Sequence, residues 1–386
     1  MNLTRLLYIF CLPSFFLFFN NLIAQADADT ISFLKGNAYS DAKKFNKALN
    51  FYSRAIQLNP NYVRAYYNRG LIYYEMQKYR LALLDYNKVA ELEPNDSDIY
   101  YSRGLTKCKL GMHLEAINDY DRSEKIDPLF SGSHYAKADC YTDLALHSIA
   151  IESYNKVIEL DPKNVDAFIG RGYCYGLLGK HELALKNYDA ATLLSPKDAV
   201  IYNNRGNAWQ ELNRYDFALR DHNLAVKLDP KYPDAYYNRA NTEVELKMYN
   251  QAEKDYTKAI DLNSKEGDYY GGRANVYLKY EKYDQALKDY DKALRLDSTN
   301  MNIRYNRALA RNSTNNYKGA LEDLNIVLKH NDKDPEVYNA RGNAKFHLGD
   351  YKGAAEEYKK ALELDPDNAL YKEILEDTSR ELNKKN

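Results

Sequence analysis

The chain has 386 residues, with 54 Lys and Arg side chains against 55 Asp and Glu side chains. Because neither sign is in excess, the composition argues against nucleic acid or an anionic membrane surface as a partner. The hydrophobic fraction of 45% is enough for a packed core. The 38 Tyr against 12 Phe predict many rings that are buried on one side and solvated at the hydroxyl.

Residues 1–26 have the pattern of a secretory signal peptide. Arg5 supplies one positive charge, residues 6–19 form an apolar run, and Ala24 and Ala26 are small residues at the two cleavage-recognition positions. The apolar run is shorter than the roughly 18 residues that a membrane-spanning helix needs. We therefore expect cleavage before Asp27 and export to the periplasm or cell surface of a bacterium, with an uncut membrane anchor as the alternative.

From Asp29 onward the sequence repeats with a period of 34 residues and no insertion. Position 20 of the unit is Ala in all ten units, and position 8 is always Gly or Ala. Position 24 is Tyr in eight units, and position 32 is Pro in seven. This period leaves no room for a second domain. The ten units are residues 29–62, 63–96, 97–130, 131–164, 165–198, 199–232, 233–266, 267–300, 301–334 and 335–368.

The small residues at positions 8 and 20 predict two helices that cross closely within each unit, because helices approach only where side chains are small. Pro at position 32 ends the second helix and starts the turn into the next unit. With an aromatic residue at position 4 or 5, a small residue at 8, Ala at 20, Tyr at 24, a small residue at 27 and Pro at 32, the chain resembles the tetratricopeptide repeat family over residues 29–368.

The resemblance implies an all-α fold in which antiparallel helix pairs stack into a right-handed superhelical solenoid with a concave groove. Residues 369–386 are then expected to form the polar-faced C-terminal capping helix that such arrays need for solubility.

An Arg at position 7 recurs with an acidic residue at position 23, as in Arg239 with Asp255. The two positions lie symmetrically about position 15, where the helices turn, so each is about 12 Å from the turn at about 1.5 Å per residue. All seven units that are acidic at position 23 have Arg at position 7, whereas Arg171 is matched with Asn187. We interpret the pair as a structural ion pair inside each hairpin, since a catalytic pair has no reason to recur in every unit.

Three histidines raise a metal hypothesis, because His113, His147 and His181 share position 17 of successive units. Equivalent positions are separated by a full helix pair, however, whereas the nitrogens of one zinc site lie about 2.0–2.1 Å from the ion. The remaining units have Tyr or Phe at position 17. We therefore interpret these histidines as substitutes for Tyr and expect no metal.

The chain beyond residue 26 contains three cysteines, Cys108, Cys140 and Cys174. An odd number in an exported protein is a poor disulfide framework. Cys140 and Cys174 are also one full unit apart, beyond the roughly 7 Å between α-carbons that a disulfide tolerates. We expect the cysteines to be buried small hydrophobic residues.

Enzyme motifs are missing from the sequence: there is no nucleophile elbow, P-loop, HExxH or CxxC. The glycine pairs Gly271-Gly272 and Gly170-x-Gly172 lie inside predicted first helices, where they cannot form a phosphate-binding loop. We expect no catalytic residues and no cofactor.

The resemblance places positions 2, 5, 9, 12 and 13 of the first helix on the concave face. Some family members bind the carboxylate of a partner's tail with a clamp that requires Lys at position 5, and this chain has no Lys there. The groove instead carries Asn at position 9 of three consecutive units, and an Asn amide can bind the backbone of an extended peptide without reading its sequence. The alternative is that Asn merely solvates a helix face. Gly271, which has no side chain, is expected to leave room in this stretch. The predicted partner-binding residues are Asn203, Asn207, Tyr237, Asn241, Asn275 and Tyr305.

Together these features predict an exported, non-enzymatic scaffold that binds a protein or an extended peptide in its groove. A holdase-like chaperone for unfolded polypeptides is the first alternative, and it predicts exposed apolar rings in the groove. An envelope protein that binds or hydrolyses carbohydrate is the second, and it predicts saturable binding to glycans or cell-wall fragments.

Overall fold

The computed structural model describes residues 27–385, so the predicted signal peptide in residues 1–26 lies outside the described residues. Every regular element between residues 27 and 385 is an α-helix. The chain divides into two compact units, one ending at Leu194 and one beginning at Ser195.

The first compact unit contains α1 (Ala28–Asp41), α2 (Phe45–Leu58), α3 (Val63–Glu75), α4 (Tyr79–Leu92), α5 (Ser97–Lys109), α6 (His113–Ile126), α7 (Ser131–Asp143), α8 (His147–Leu160), α9 (Val165–Leu177) and α10 (His181–Leu194). The second contains α11 (Ala199–Glu211), α12 (Tyr215–Leu228), α13 (Pro233–Glu245), α14 (Tyr249–Leu262), α15 (Gly267–Lys279), α16 (Tyr283–Leu296), α17 (Met301–Ser313), α18 (Tyr317–His330), α19 (Pro335–His347), α20 (Tyr351–Leu364) and α21 (Ala369–Lys385).

Each 34-residue repeat is one helix hairpin, and within each compact unit every helix packs against the helices before and after it in the chain. The last helix, α21, packs on α20 as the expected capping helix. The all-α prediction is therefore confirmed. Among residues 27–385, none of the helices combines the length and apolarity that a bilayer crossing requires.

The close crossing inside each hairpin depends on the small residues at positions 8 and 20. The Ala at position 20 is 0% exposed in all ten repeats. Where position 8 is Gly, the ring at position 24 occupies the space that a side chain would need: a Cβ on Gly36 would lie 2.5 Å from Cε1 of Tyr52. The buried ring at position 24 therefore packs against the small residue at position 8 of the same repeat.

The turn between the two helices has the same backbone shape in every repeat. The residue at position 15 has a positive φ in all ten, although only Gly111, Gly179 and Gly349 are glycines. The amide at position 16 donates to the carbonyl at position 11, as from Lys282 N to Tyr277 O at 2.9 Å. A left-handed residue other than Gly costs about 1 kcal/mol. Helix packing therefore imposes this turn on the five repeats in which position 15 is neither Gly nor Asn.

The predicted ion pair inside the hairpin is present. In the eighth repeat, Arg273 donates from Nε to Asp289 Oδ2 at 2.7 Å and from Nη2 to Asp289 Oδ1 at 3.0 Å. Its Nη1 also donates to Oγ1 of Thr257 in the preceding repeat, at 3.1 Å. The guanidinium thus joins the two helices of its own hairpin and reaches the hairpin before it. The seven pairs are Arg69–Asp85, Arg103–Asp119, Arg205–Asp221, Arg239–Asp255, Arg273–Asp289, Arg307–Asp323 and Arg341–Glu357.

Candidate functional site

A pocket of about 380 Å³ lies between the first helices of repeats seven, eight and nine, which are α13, α15 and α17. Its wall is rich in side-chain amides, which belong to Gln210, Asn241, Asn275, Asn300, Asn302 and Asn306. Tyr237 contributes an aromatic face, and charges of both signs come from Glu245, Asp268 and Lys279. We call this surface the amide pocket.

The two Asn residues at position 9 are held in fixed orientation by tyrosines of the second helices. The hydroxyl of Tyr256 donates to Asn241 Oδ1 at 2.6 Å, and that of Tyr290 donates to Asn275 Oδ1 at 2.6 Å. Asn306 Nδ2 also donates to Asn275 Oδ1, at 3.0 Å. Asn241 is also a side-chain hydrogen-bond partner of the Tyr237 hydroxyl, whereas Asn275 Nδ2 has no protein acceptor within residues 27–385. Each amide nitrogen carries two N–H groups, so both side chains still offer the groove at least one hydrogen-bond donor.

Tyr237, at position 5, is held by aromatic contacts on two sides. Its ring centroid lies 5.8 Å from that of Tyr256 and 5.1 Å from that of Tyr269. Burial raises the pKa of Tyr237, so the phenol stays protonated at neutral pH. A ring that is already packed loses little conformational entropy when a ligand lies on it.

A second pocket of about 320 Å³ shares Tyr237 and Asp268 with the amide pocket and is lined by Asn203 and Asn207. Asn203 is 3% exposed and has internal partners on both amide atoms. Its Nδ2 donates to Tyr232 Oη at 3.4 Å, and its Oδ1 accepts from Asn238 Nδ2 at 3.0 Å. The side chain of Asn203 therefore holds α11 against the next repeat.

Asn207 has a histidine partner where most repeats have Tyr. Nε2 of His222 lies 3.1 Å from Asn207 Oδ1, and Nδ1 lies 3.0 Å from Thr242 Oγ1. Burial lowers the pKa of His222 to about 4, so the imidazole is neutral near pH 7. Since Asn207 Oδ1 can only accept, Nε2 carries the proton.

The predicted binding residues are therefore divided by the structure. Tyr237, Asn241 and Asn275 lie together in the amide pocket, and Asn203 and Asn207 lie in the neighbouring pocket. Tyr305 lines neither of these two pockets, and its hydroxyl lies 3.5 Å from Glu336 Oε2. The role of these residues in binding stays a prediction.

The expectation that Gly271 leaves room in the groove is wrong. A Cβ on Gly271 would lie 2.6 Å from Cδ1 of Ile303, so the side chain from the next repeat fills that space. The ring of Tyr256 fills the corresponding space at Gly272, because a Cβ on Gly272 would lie 2.5 Å from Cε1 of Tyr256. These glycines accommodate the side chains of neighbouring repeats.

Asn302 and Asn306 also line the amide pocket, although they are not among the predicted binding residues. Asn302 occupies position 2, which the resemblance places on the concave face, so that signal was available. Asn306 occupies position 6, outside the expected concave set. It enters the pocket because its amide turns toward Asn275 of the preceding repeat.

The expectation that every cysteine is an unpaired hydrophobic residue is wrong for two of them. Cys108 and Cys140 are joined in a disulfide, with α-carbons 7.0 Å apart. They occupy positions 12 and 10 of adjacent repeats, and this offset brings the sulfurs of α5 and α7 together. Cys174 is buried and free, with Thr142 Oγ1 at 3.3 Å, and burial raises the pKa of its thiol.

His113 lies beside the disulfide. Ligand atoms of Cys108, His113 and Cys140 all lie within 4.8 Å of one another, and this is the one potential metal-binding group among residues 27–385. His147 and His181 do not belong to it. The three position-17 histidines nevertheless share one property, which is a buried Nδ1 atom without a hydrogen-bond partner.

Ten hairpins with a common buried Ala, a common turn and a recurring internal ion pair define a helix-hairpin repeat protein. Family models described as TPR repeat or tetratricopeptide repeat match residues 36–77, 63–96, 131–164, 153–186, 233–266, 267–300 and 335–368, which together exceed half of the chain. The chain belongs to the tetratricopeptide repeat family, whose fold is that of a protein-interaction scaffold.

The chain is also similar to several solved structures. A chain of the APC/C hetero-tetramer Cut9-Hcn1 is 13% identical and matches with a TM-score of 0.57, covering 92% of this chain and 77% of that one. YrrB, described as a TPR protein with an unusual peptide-binding site, is 23% identical, with a TM-score of 0.44 and coverage of 48% and 96%. A tetratricopeptide repeat protein from Parabacteroides merdae is 23% identical, with a TM-score of 0.47 and coverage of 64% and 98%. The match to the Cut9-Hcn1 chain supports the fold. A comparison with curated proteins found no match.

Proposed function

We propose that the protein is an exported, non-enzymatic scaffold that binds an extended polypeptide segment in the amide pocket. The observation that carries this proposal is the orientation of Asn241 and Asn275. Because tyrosine hydroxyls donate to both Oδ1 atoms, the Nδ2 groups are oriented as hydrogen-bond donors at the groove surface.

Fixed donors suit the carbonyl groups of a peptide backbone. An extended chain presents carbonyls at regular intervals of about 3.3 Å per residue, alternating in direction. Donors held in place before binding lose little entropy when they meet such carbonyls. Tyr237 adds a packed aromatic face for the peptide's side chains, whereas Glu245 and Lys279 give local preferences for charge.

The sharpest test replaces the donors and keeps the acceptors. Asp at position 9 is compatible with the fold, since Tyr154 donates to Asp139 Oδ1 at 2.6 Å in the fourth repeat. The double variant Asn241→Asp with Asn275→Asp should therefore keep its helical content while losing both donors. Asn343→Asp is the matched control, because Tyr358 donates to Asn343 Oδ1 at 2.7 Å and Asn343 is outside the amide pocket.

The binding experiment uses the chain from residue 27 to residue 386 as bait for an envelope extract, followed by affinity measurements on peptides from captured proteins. We expect one or two specific proteins, at least tenfold weaker peptide binding by the double variant, and wild-type binding by Asn343→Asp. Unchanged affinity in the double variant would place binding elsewhere on the chain.

The same extract distinguishes the alternatives. Capture of many unfolded polypeptides without preference would favour a holdase, and binding that only glycans or cell-wall fragments saturate would favour a carbohydrate-binding protein. Either result would replace the scaffold proposal.

Export is a separate part of the proposal and rests on residues 1–26. Expression of the full chain in a bacterial host should give a product that lacks these residues and begins at Asp27. Intact mass and amino-terminal sequencing of the envelope and medium fractions would measure this. A product that keeps Met1 in the cytoplasm would contradict export.

A further inference from the structure

Cys108, His113 and Cys140 converge where repeats three and four meet. Cys108 is near the end of α5, His113 is the first residue of α6, and Cys140 is in the middle of α7. The turn between α5 and α6 brings the first two together, and the packing of α7 adds the third. The resulting group is shielded, because Cys140 is 1% exposed and Nδ1 of His113 is buried.

We propose that, when Cys108 and Cys140 are thiols, these two residues and His113 bind one Zn²⁺ ion. Two thiolates and one imidazole are ligands that Zn²⁺ prefers, with bonds of about 2.3 Å to sulfur and about 2.0–2.1 Å to nitrogen. Ligand atoms in such a tetrahedral site are about 3.8 Å apart or less. In the disulfide-bonded structure the three donor atoms lie within 4.8 Å of one another, so closing the site requires the two sulfurs to separate and the imidazole nitrogen to approach them.

The chemistry of the surroundings agrees with a cation at this place. The buried Nδ1 of His113 has no hydrogen-bond partner within the described residues. Two thiolates balance the charge of Zn²⁺, and Asp143 Oδ2, 3.7 Å from His113 Nδ1, adds a further negative charge. A fourth coordination position remains open for water or for this carboxylate.

The zinc site and the disulfide use the same two sulfur atoms, so each excludes the other. The chain is synthesised as the dithiol, and loading therefore needs no reductant: Zn²⁺ binds as the two thiols release two protons. Formation of the disulfide instead requires thiol–disulfide exchange with an oxidising disulfide, which takes up two electrons and two protons from the two thiols. Either state links the third repeat to the fourth, and this inference does not depend on the amide pocket.

The test uses the chain from residue 27 to residue 386 treated with a phosphine, which supplies two electrons to the disulfide while water supplies two protons and the oxygen of the phosphine oxide. Titration with Co²⁺ should give a thiolate-to-cobalt charge-transfer band that saturates at one ion per chain. One equivalent of Zn²⁺ should abolish it. A wild-type chain without this band would overturn the proposal.

Matched variants assign the ligands. Cys108→Ser and His113→Tyr should each weaken Zn²⁺ binding at least tenfold, whereas Cys174→Ser and His181→Tyr should leave it unchanged. Tyr is the usual residue at position 17, so both histidine variants keep a side chain that the fold already uses. Equal losses in His113→Tyr and His181→Tyr, or full binding by Cys108→Ser, would overturn the assignment.

Zinc protection of the thiols gives an independent measure. In the reduced chain, one equivalent of Zn²⁺ should slow alkylation of Cys108 and Cys140 at least tenfold, as read by peptide mass spectrometry. The protection should be absent in His113→Tyr. Alkylation rates that do not respond to Zn²⁺ in the wild-type chain would contradict the site.

Discussion

The third and fourth repeats and the seventh and eighth repeats have the same hairpin but carry different chemistry. Both regions have the buried Ala of position 20 and an internal ion pair, Arg103–Asp119 in one and Arg239–Asp255 in the other. One region has a disulfide between its first helices and an imidazole at the start of a second helix, whereas the other presents oriented amides on its first helices. The fold is therefore set by one group of positions, which leaves other positions, such as 9, 10 and 12 of the first helix, free to differ between repeats.

The largest expected effect comes from breaking the shared ion pair. Arg239→Met leaves the carboxylate of Asp255, which is 8% exposed, without its partner and should cost about 3–5 kcal/mol. Arg171→Met is the matched variant, because its partner Asn187 is neutral, and it should cost about 1–2 kcal/mol. Urea unfolding followed by circular dichroism measures both. Equal decreases in the free energy of unfolding would show that the unpaired charge of Asp255 does not cause the destabilisation.

The next effect is a pH dependence confined to the sixth repeat. His222 has a pKa of about 4 in the folded chain, below the value of about 6.5 in the unfolded chain. The unfolded chain therefore binds a proton first, and stability falls as the pH drops from about 6.5 to 4. His222→Tyr introduces the residue that most repeats have at position 24. It should remove up to about 3 kcal/mol of the stability that is lost on acidification. A constant stability difference between the two proteins over this range would contradict the buried neutral imidazole.

A smaller effect of opposite pH sense is expected at Glu243, on α13 behind the amide pocket. Burial raises its pKa to about 7, and its Oε2 has no hydrogen-bond partner. The folded chain then holds a proton that the unfolded chain has released, so stability falls as the pH rises from about 4.5 to 7. Glu243→Gln should be up to about 2 kcal/mol more stable than wild type at pH 8 and equal to it below pH 4.5. Thermal melts at both pH values would measure this, and a variant that is less stable at pH 8 would count against it.

The smallest effect contrasts two helical glycines. Gly272→Ala places a Cβ 2.5 Å from the ring of Tyr256 and should cost about 1–3 kcal/mol. Gly176 has no atom within 4 Å of the corresponding position, so Gly176→Ala should instead stabilise α9 by about 0.5–1 kcal/mol. Opposite shifts in the urea midpoint are expected. Stabilisation by both variants would mean that Tyr256 moves aside without cost, and destabilisation by both would contradict the open space at Gly176.

The sequence predicted the hairpins and the ion pairs because both depend on contacts inside one repeat, where the period fixes the distances. The bond from Tyr256 to Asn241 was also present as a signal, since Asn or Asp at position 9 coincides with Tyr or His at position 24 in six repeats. The disulfide and the contact of Ile303 with Gly271 both depend on how adjacent repeats are offset. That offset comes from side-chain packing between repeats, so it could not be derived from the spacing of residues along the chain.

The arginine of position 7 also sets an order of assembly. Besides its own hairpin, Arg273 binds Thr257 and Arg307 binds Asp291, both in the repeat before and both sixteen residues upstream. The chain leaves the ribosome amino end first, so the acceptor in the preceding repeat is already synthesised when each arginine emerges. The arginine then lacks only the acidic residue on the second helix of its own repeat. Every contact in this series spans few residues, so the protein can be built repeat by repeat in the direction of translation.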